Sequence, residues 1–137
     1  MVNKEIIKLI FTHPYINKKL WIFKANINWS KTKIKMDKDD DNFIEWENGI
    51  WKDGTWYDGI WRDGKWKDGI WQDGGWYNGE WLDGTWHKGS WHDGIWENGK
   101  WYDGTWEKGN IYNPKTGRYE PSKLPPNKCK WSLSYGK

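Results

Sequence analysis

The chain has one cysteine, Cys129, a hydrophobic share of only 36%, and few leucines or valines. A lone cysteine excludes a disulfide framework. No stretch approaches the roughly 20 consecutive apolar residues of a membrane-spanning helix, so no membrane partner is expected. The apolar run Ile6 to Phe11 is short and has no small-residue cleavage site. No signal-peptide pattern follows from it, and the chain reads as cytoplasmic or as part of an assembled particle such as a virion. Reactive sets are missing too. The glycines are turn residues spaced by the repeat, with Gly74-Gly75 as one adjacent pair, and never a Gly-x-Gly-x-x-Gly opening a helix, which removes the usual phosphate cradle. No Ser/His/Asp or Cys/His set is visible, since Cys129 lies far from His87 and His92 in sequence. The expectation is a non-enzymatic protein with no cofactor, no catalytic residue and no metal.

What the chain has is tryptophan and glycine, 16 of each in 137 residues. A Trp recurs every fifth residue as Trp46, Trp51, Trp56, Trp61, Trp66, Trp71, Trp76, Trp81, Trp86, Trp91, Trp96, Trp101 and Trp106. A Gly follows each by three residues, from Gly49 to Gly109, preceded by Asp or Asn everywhere except at Lys88 and Lys108. A fourteenth pentad opens on Ile111 and runs into Pro114. A fixed short period decides architecture before anything else does. An α-helix is excluded: a Gly at every fifth position costs about 1 kcal/mol each time, and the Trp would spiral around all sides. The unit is therefore β, with Asp-Gly or Asn-Gly supplying the turn.

Two all-β arrangements compete. The preferred one is a four-sided β-solenoid with small N- and C-terminal caps, one pentad per side, which makes the thirteen Trp-led pentads a little over three coils. The period resembles that of the pentapeptide-repeat family, and the resemblance implies that the Trp points inward, as does the small Gly two positions earlier. The alternative is a narrow antiparallel hairpin meander. Backbone groups alternate in direction along a strand, so two-residue turns would leave odd-length strands that cannot bond both neighbours. Three-residue loops such as Glu97-Asn98-Gly99 remove that conflict, and Lys88 and Lys108 suit them, but successive Trp would then face opposite sides. Burying a Trp removes about 200 Å² from water, worth on the order of 5 kcal/mol, so the arrangement that hides every Trp is favoured.

The net charge of +3 conceals an uneven distribution. Residues 1–35 carry +7, residues 36–45 carry −4, the array over 46–110 carries −5 and residues 111–137 carry +5. This division suggests three segments. Residues 1–42 form a basic N-terminal cap or docking segment with an acidic linker, 43–110 the array, and 111–137 a hairpin cap with a basic, proline-rich tail. A short helix is expected over residues 3–12, capped by Asn3 and stopped by Pro14. Leu20 to Ile34 reads as β, and Ile111 to Tyr119 as a hairpin around Pro-Lys-Thr-Gly. The aromatics at the basic ends, Trp21, Trp29, Trp131 and Tyr135, are the candidate partner contacts. An acidic array with two basic ends suits contact between copies or with acidic partners, whereas its net negative charge argues against nucleic acid. The Asp row reads as turn stabilisation rather than a calcium site, because Lys88 and Lys108 share its register. His87 and His92 occupy equivalent slots in neighbouring pentads, and read as exposed histidines rather than a zinc pair.

The Trp96-Glu97-Asn98-Gly99-Lys100-Trp101 segment resembles designed tryptophan-zipper hairpins, and the Gly-x-Trp-x-x-Gly spacing resembles the core of the MORN-repeat unit. Period and inward-facing pattern resemble the pentapeptide-repeat family, though that family uses Leu or Phe with Ala. The W-x-x-G-x array itself resembles repeats in uncharacterised proteins of tailed phages and other large viruses. That resemblance implies a rigid structural component of a virion, in a tail, a fibre or on a capsid, which contacts other proteins of the assembly or copies of itself. The alternative is a module that binds glycan or cell-wall polymer through exposed Trp.

Overall fold

The computed structural model describes residues 21–36 and 44–137. The helix expected over 3–12 and the linker from residue 37 lie outside the described residues. A helical turn, α1 (Trp21–Lys24), leads into two long strands, β1 (Asn26–Met36) and β2 (Ile44–Asp53). Eleven two-residue strands follow at five-residue intervals, from β3 (Thr55–Trp56) through β4 (Ile60–Trp61) and β5 (Lys65–Trp66) to β12 (Lys100–Trp101) and β13 (Thr105–Trp106). The chain closes with β14 (Gly109–Asn113) and β15 (Arg118–Ser122).

Each short strand is one residue facing out followed by one Trp facing in. It pairs in parallel with the strand three pentads away: Trp46 with Trp61, Trp61 with Trp76, Trp76 with Trp91. The same spacing links Trp51, Trp66 and Trp81, and Trp56, Trp71 and Trp86. The fold is thus a β-solenoid of about 4 turns. Its coil holds three pentads, so the four-sided coil expected from the sequence is corrected to a three-sided one. The hairpin meander is excluded, because strand pairs within the array are parallel. Antiparallel pairing is confined to the two ends, β1 with β2 and β14 with β15.

The three-sided coil follows from the size of the indole and the sharpness of the corner. Within one column, Trp46 stacks on Trp61 at 4.5 Å between ring centroids, and Trp66 on Trp81 at 4.8 Å, with planes only 7° and 6° apart. This separation matches the spacing of neighbouring strands in a sheet, about 4.7–4.9 Å, so backbone repeat and indole stack share one period. Around one coil, Trp61 meets Trp66 edge to face at 5.9 Å and 71°. Both are favourable geometries for aromatic quadrupoles. Three indoles fill each layer: Trp46 through Trp96 are fully buried, and Trp101 and Trp106 are 2% and 8% exposed.

Glycine is not the small inward partner expected from the sequence. It stands at the corner with φ near +120°, as at Gly94 (φ 124°), a conformation L side chains rarely adopt. Space forbids a side chain as well, since a Cβ on Gly94 would lie 2.6 Å from the carbonyl oxygen of Gly79, one coil back. Close approach of corner to corner lets the ladder close, with Lys67 N–H donating to Trp51 O at 2.8 Å and Ile70 N–H to Gly54 O at 2.9 Å. The preceding Asp finishes the turn: Gly64 N–H donates to Asp63 Oδ1, and Gly94 N–H to Asp93 Oδ1, both at 2.8 Å.

Both ends are closed by irregular structure, as the exposed edges of a solenoid require. At the start, β1 runs antiparallel along β2, which turns the first corner and serves two faces. The third face begins at β3, and α1 packs there, with Trp21 edge-on to Trp56 at 5.4 Å. Helix α1 departs from the β reading of Leu20-Trp21-Ile22-Phe23: a single helical turn over Trp21–Lys24 buries Ile22 completely. At the far end Ile111 replaces Trp in the column above Trp96. Pro114 then takes the glycine slot, and the chain reverses, with Gly117 N–H donating to Asn113 O at 2.8 Å.

Candidate interaction surface

With every array Trp inside, the surface is built from what lies between them. Three residues per pentad face outward: the one before Trp, the one after it and the corner Asp or its substitute. The 15-residue coil sorts these into columns that a five-residue reading treats as one class. Along one edge run Arg62, Tyr77, His92 and Glu107, each in contact with the next. The Arg62 guanidinium lies 4.9 Å over the Tyr77 ring, Tyr77 stacks on His92 at 4.4 Å, and His92 Nδ1 is 2.8 Å from Glu107 Oε2. Arg62 also reaches Glu45 at 3.4 Å, a residue of the neighbouring column that pairs with Ile60. A second edge carries Tyr57, Gln72, His87 and Tyr102, with His87 and Tyr102 stacked at 5.3 Å.

This sorting settles the histidines. Five residues apart means a third of a turn apart, so His87 and His92 stand on different edges and each stacks on a tyrosine of its own column. They do not form a pair. It also explains the two departures from the Asp register. Lys88 Nζ lies 3.8 Å from Asp73 Oδ2 and Lys108 Nζ 3.9 Å from Asp93 Oδ2, in each case one coil below. Lys88 interrupts the column of Asp58, Asp73 and Asp103, and Lys108 ends the column of Asp63, Asn78 and Asp93. In the Asp row, one carboxylate oxygen of each turn Asp is held by the following Gly N–H, as at Asp53, Asp58, Asp68 and Asp103. Among the described residues no three His, Cys, Asp or Glu side chains converge. No helix among them is long and apolar enough to cross a membrane.

The caps hold the candidate partner contacts, and the structure treats the four differently. Trp29 is buried and stacks on Phe23 at 5.8 Å, so it belongs to the N-terminal core. Trp21 is half-buried against Trp56 and Tyr57. Trp131 is half-buried, its indole N–H donating to Ile111 O at 3.2 Å. Tyr135 is 51% exposed. The array indoles present no face to solvent, so glycan stacking on array Trp has no surface to use. The exposed aromatics along the array are Tyr57, Tyr77 and Tyr102.

The N-terminal cap adds an ionic cluster. Glu47 takes Lys35 at 2.9 Å and Lys33 at 3.6 Å. The hydrogen bond from Lys35 holds the Glu47 carboxyl below its ordinary range, and the same bond raises Lys35. Thr32 is buried and ties the strands together: its hydroxyl donates to Asn28 O at 2.6 Å and accepts Ile50 N–H at 3.1 Å.

At the other end the proline-rich tail folds onto its own solenoid. Ser134 is fully buried, accepts the Trp96 indole N–H at 3.0 Å and donates to Gly99 O. Trp106 Nε1–H donates to Ser122 O at 3.0 Å. The tail residues Lys123, Lys128, Lys130 and Lys137 all remain exposed. Tyr119 reaches back to Glu97, its hydroxyl donating to Oε1 at 2.8 Å. Burial, helped by that bond, pushes the phenol up to about 12. Sequence reasoning missed the edge columns and the Ser134 clamp. The columns are legible only if residues are aligned at 15 rather than 5. Compared with known proteins, the chain matches no family model, no curated protein and no solved structure.

Proposed function

We propose that the chain is a non-enzymatic structural and interaction protein: a short, rigid Trp-cored rod that scaffolds or decorates a larger assembly. The observation that carries this reading is the dry interior. Thirteen indoles are committed to packing, and among the described residues no three His, Cys, Asp or Glu side chains converge on the surface around them. Four coils at about 4.8 Å each make the array on the order of 20 Å long. Both ends are basic where the array is acidic, and the C-terminal cap exposes Leu124, Leu133 and Tyr135, which suits contacts made through the ends. The resemblance of the W-x-x-G-x array to repeats of tailed phages and large viruses makes a virion component the assembly proposed, with the chain as a tail, fibre or capsid-associated part. Tagged chain produced in its native setting should co-sediment with high-mass particles and persist, at fixed ratio, through their purification. Recovery only from the particle-free soluble fraction would remove this reading.

A further inference from the structure

We propose that the C-terminal cap is a docking site for an acidic protein segment that carries an apolar side chain. The inference rests on the reading of the ends as contact surfaces and names what this end takes. Two depressions adjoin on the cap. The larger, about 450 Å³, is lined by Leu124, Cys129 and Trp131 together with Lys123, Lys128 and Lys130. The smaller, about 330 Å³, shares Lys123 and adds Lys108.

The walls are fixed before anything binds. The Trp131 ring is pinned by its N–H on Ile111 O. Ser122 Oγ donates to Leu124 O at 2.7 Å and accepts Leu124 N–H at 3.1 Å. The N–H groups of Lys128 and Cys129 both donate to Pro125 O at 3.0 Å. Preorganised walls lower the ordering cost of binding. Leu124 is 54% exposed beside them, an apolar group with no partner among the described residues to cover it.

Charge selects the occupant. Residues 111–137 hold six Lys or Arg and one carboxylate, Glu120. That carboxylate is engaged by Asn113 Nδ2 at 2.6 Å, and Asp93 beside the smaller depression is within 3.9 Å of Lys108. Glu120 keeps its charge on the neutral Asn113 amide and Asp93 offsets Lys108, so the positive field at the cap rests on the six basic residues against one acidic side chain in 111–137. Nucleic acid fits poorly, because a phosphate backbone needs a basic track and the flank next to the cap carries Asp103 and Glu107. Strand addition to β15 fits poorly too, since Pro121 offers no N–H to a further strand. A side chain seated between Leu124 and Trp131, with carboxylates on the lysines around it, satisfies both the shape and the charge.

The test uses the full chain and a labelled peptide of Asp and Glu around a single leucine, followed by fluorescence polarisation. The same peptide with Asn and Gln in place of the acids is the control. The acidic peptide should bind at least about tenfold more tightly, and binding should weaken as salt is raised. The double variant Lys128→Glu/Lys130→Glu should lose about tenfold, and Leu124→Ser should weaken both peptides alike, with Trp emission unchanged in each. Equal binding of the two peptides overturns the proposal, as does an unaffected double variant. Tighter binding to anionic phospholipid vesicles or to single-stranded DNA than to the acidic peptide also overturns it. Failure here with particle association intact removes the site alone. Peptide binding without particle association removes the assembly reading and leaves the site.

Discussion

Trp66 sits in the middle of its column, stacked on Trp51 at 4.8 Å below and on Trp81 at 4.8 Å above. Two further indoles meet it edge to face within its own chain turn. Trp66→Ala should therefore cost about 3–5 kcal/mol, read from chemical denaturation, because a rigid stack on both sides cannot collapse into the cavity. The corner is less forgiving still. Gly94→Ala should lower stability by several kcal/mol, combining a strained backbone with overlap on Gly79 O. A Gly94→Ala chain that unfolds with the wild-type midpoint would show that the corners can part to admit a Cβ. Glycines and indoles were both legible as structural from their spacing. The direction of the glycine was not, because spacing does not say whether a small residue makes room inside a coil or between coils. Several indoles, Trp51 and Trp66 among them, keep a buried N–H with no partner among the described residues. Each such donor carries a desolvation cost that stacking has to offset.

At the scale of elements, surface columns tune what the core makes uniform. Lys88→Asp would restore the repeat consensus and yet should destabilise, by about 0.5–1 kcal/mol at low salt, since four carboxylates would then follow one another at 58, 73, 88 and 103. Repeating the measurement near 1 M salt, where the Debye length is about 3 Å, should erase most of that difference. No effect of salt would mean that Lys88 acts through its stem rather than its charge. The C-terminal hairpin supplies a pH readout. Tyr119 ionises near 12 in the folded chain against an ordinary value of 10.0. A raised folded value means that its contribution is complete below about pH 10 and is lost as pH climbs toward 12. Spectroscopic titration of the phenols should show one late tyrosine, and Tyr119→Phe should remove it and flatten stability in that window. The hairpin itself was legible from Pro114 and Gly117, but its bond to Glu97 joins residues 22 apart and no local pattern announces it.

For the whole molecule, equivalence of the pentads makes an unusual demand. The interior pentads from Trp61 to Trp91 each stack on an indole above and below and meet two more edge to face, so removing the five residues from Trp76 to Glu80 should leave a folded solenoid. Only the surface pairings that cross the cut, Arg62 with Tyr77, Tyr77 with His92, Lys65 with Glu80 and Asp73 with Lys88, would be lost, each worth at most about 1 kcal/mol. Blue-shifted emission resistant to acrylamide is the expected signature in both the parent and the shortened chain, because the array indoles stay dry. Red-shifted, readily quenched emission in the deletion chain would show that the columns, and not the ring, hold the coils together.

The period alone determined that the fold is β, repetitive, built on a Trp interior and closed by atypical ends, because Gly and Asp at five-residue intervals leave the backbone no other regular choice. It also divided the charge into an acidic array and basic ends. Tertiary structure decided how many pentads make a coil. That number depends on how three indoles fill a layer and how sharply an Asp-Gly corner turns, and neither is written in any single pentad. Everything that follows from three rather than four was decided with it. Arg62, Tyr77 and His92 share an edge, His87 and His92 do not, and Lys88 and Lys108 each meet an aspartate. Only three dimensions bring residues 15 apart into contact and fold a lysine-rich tail back over the last indoles.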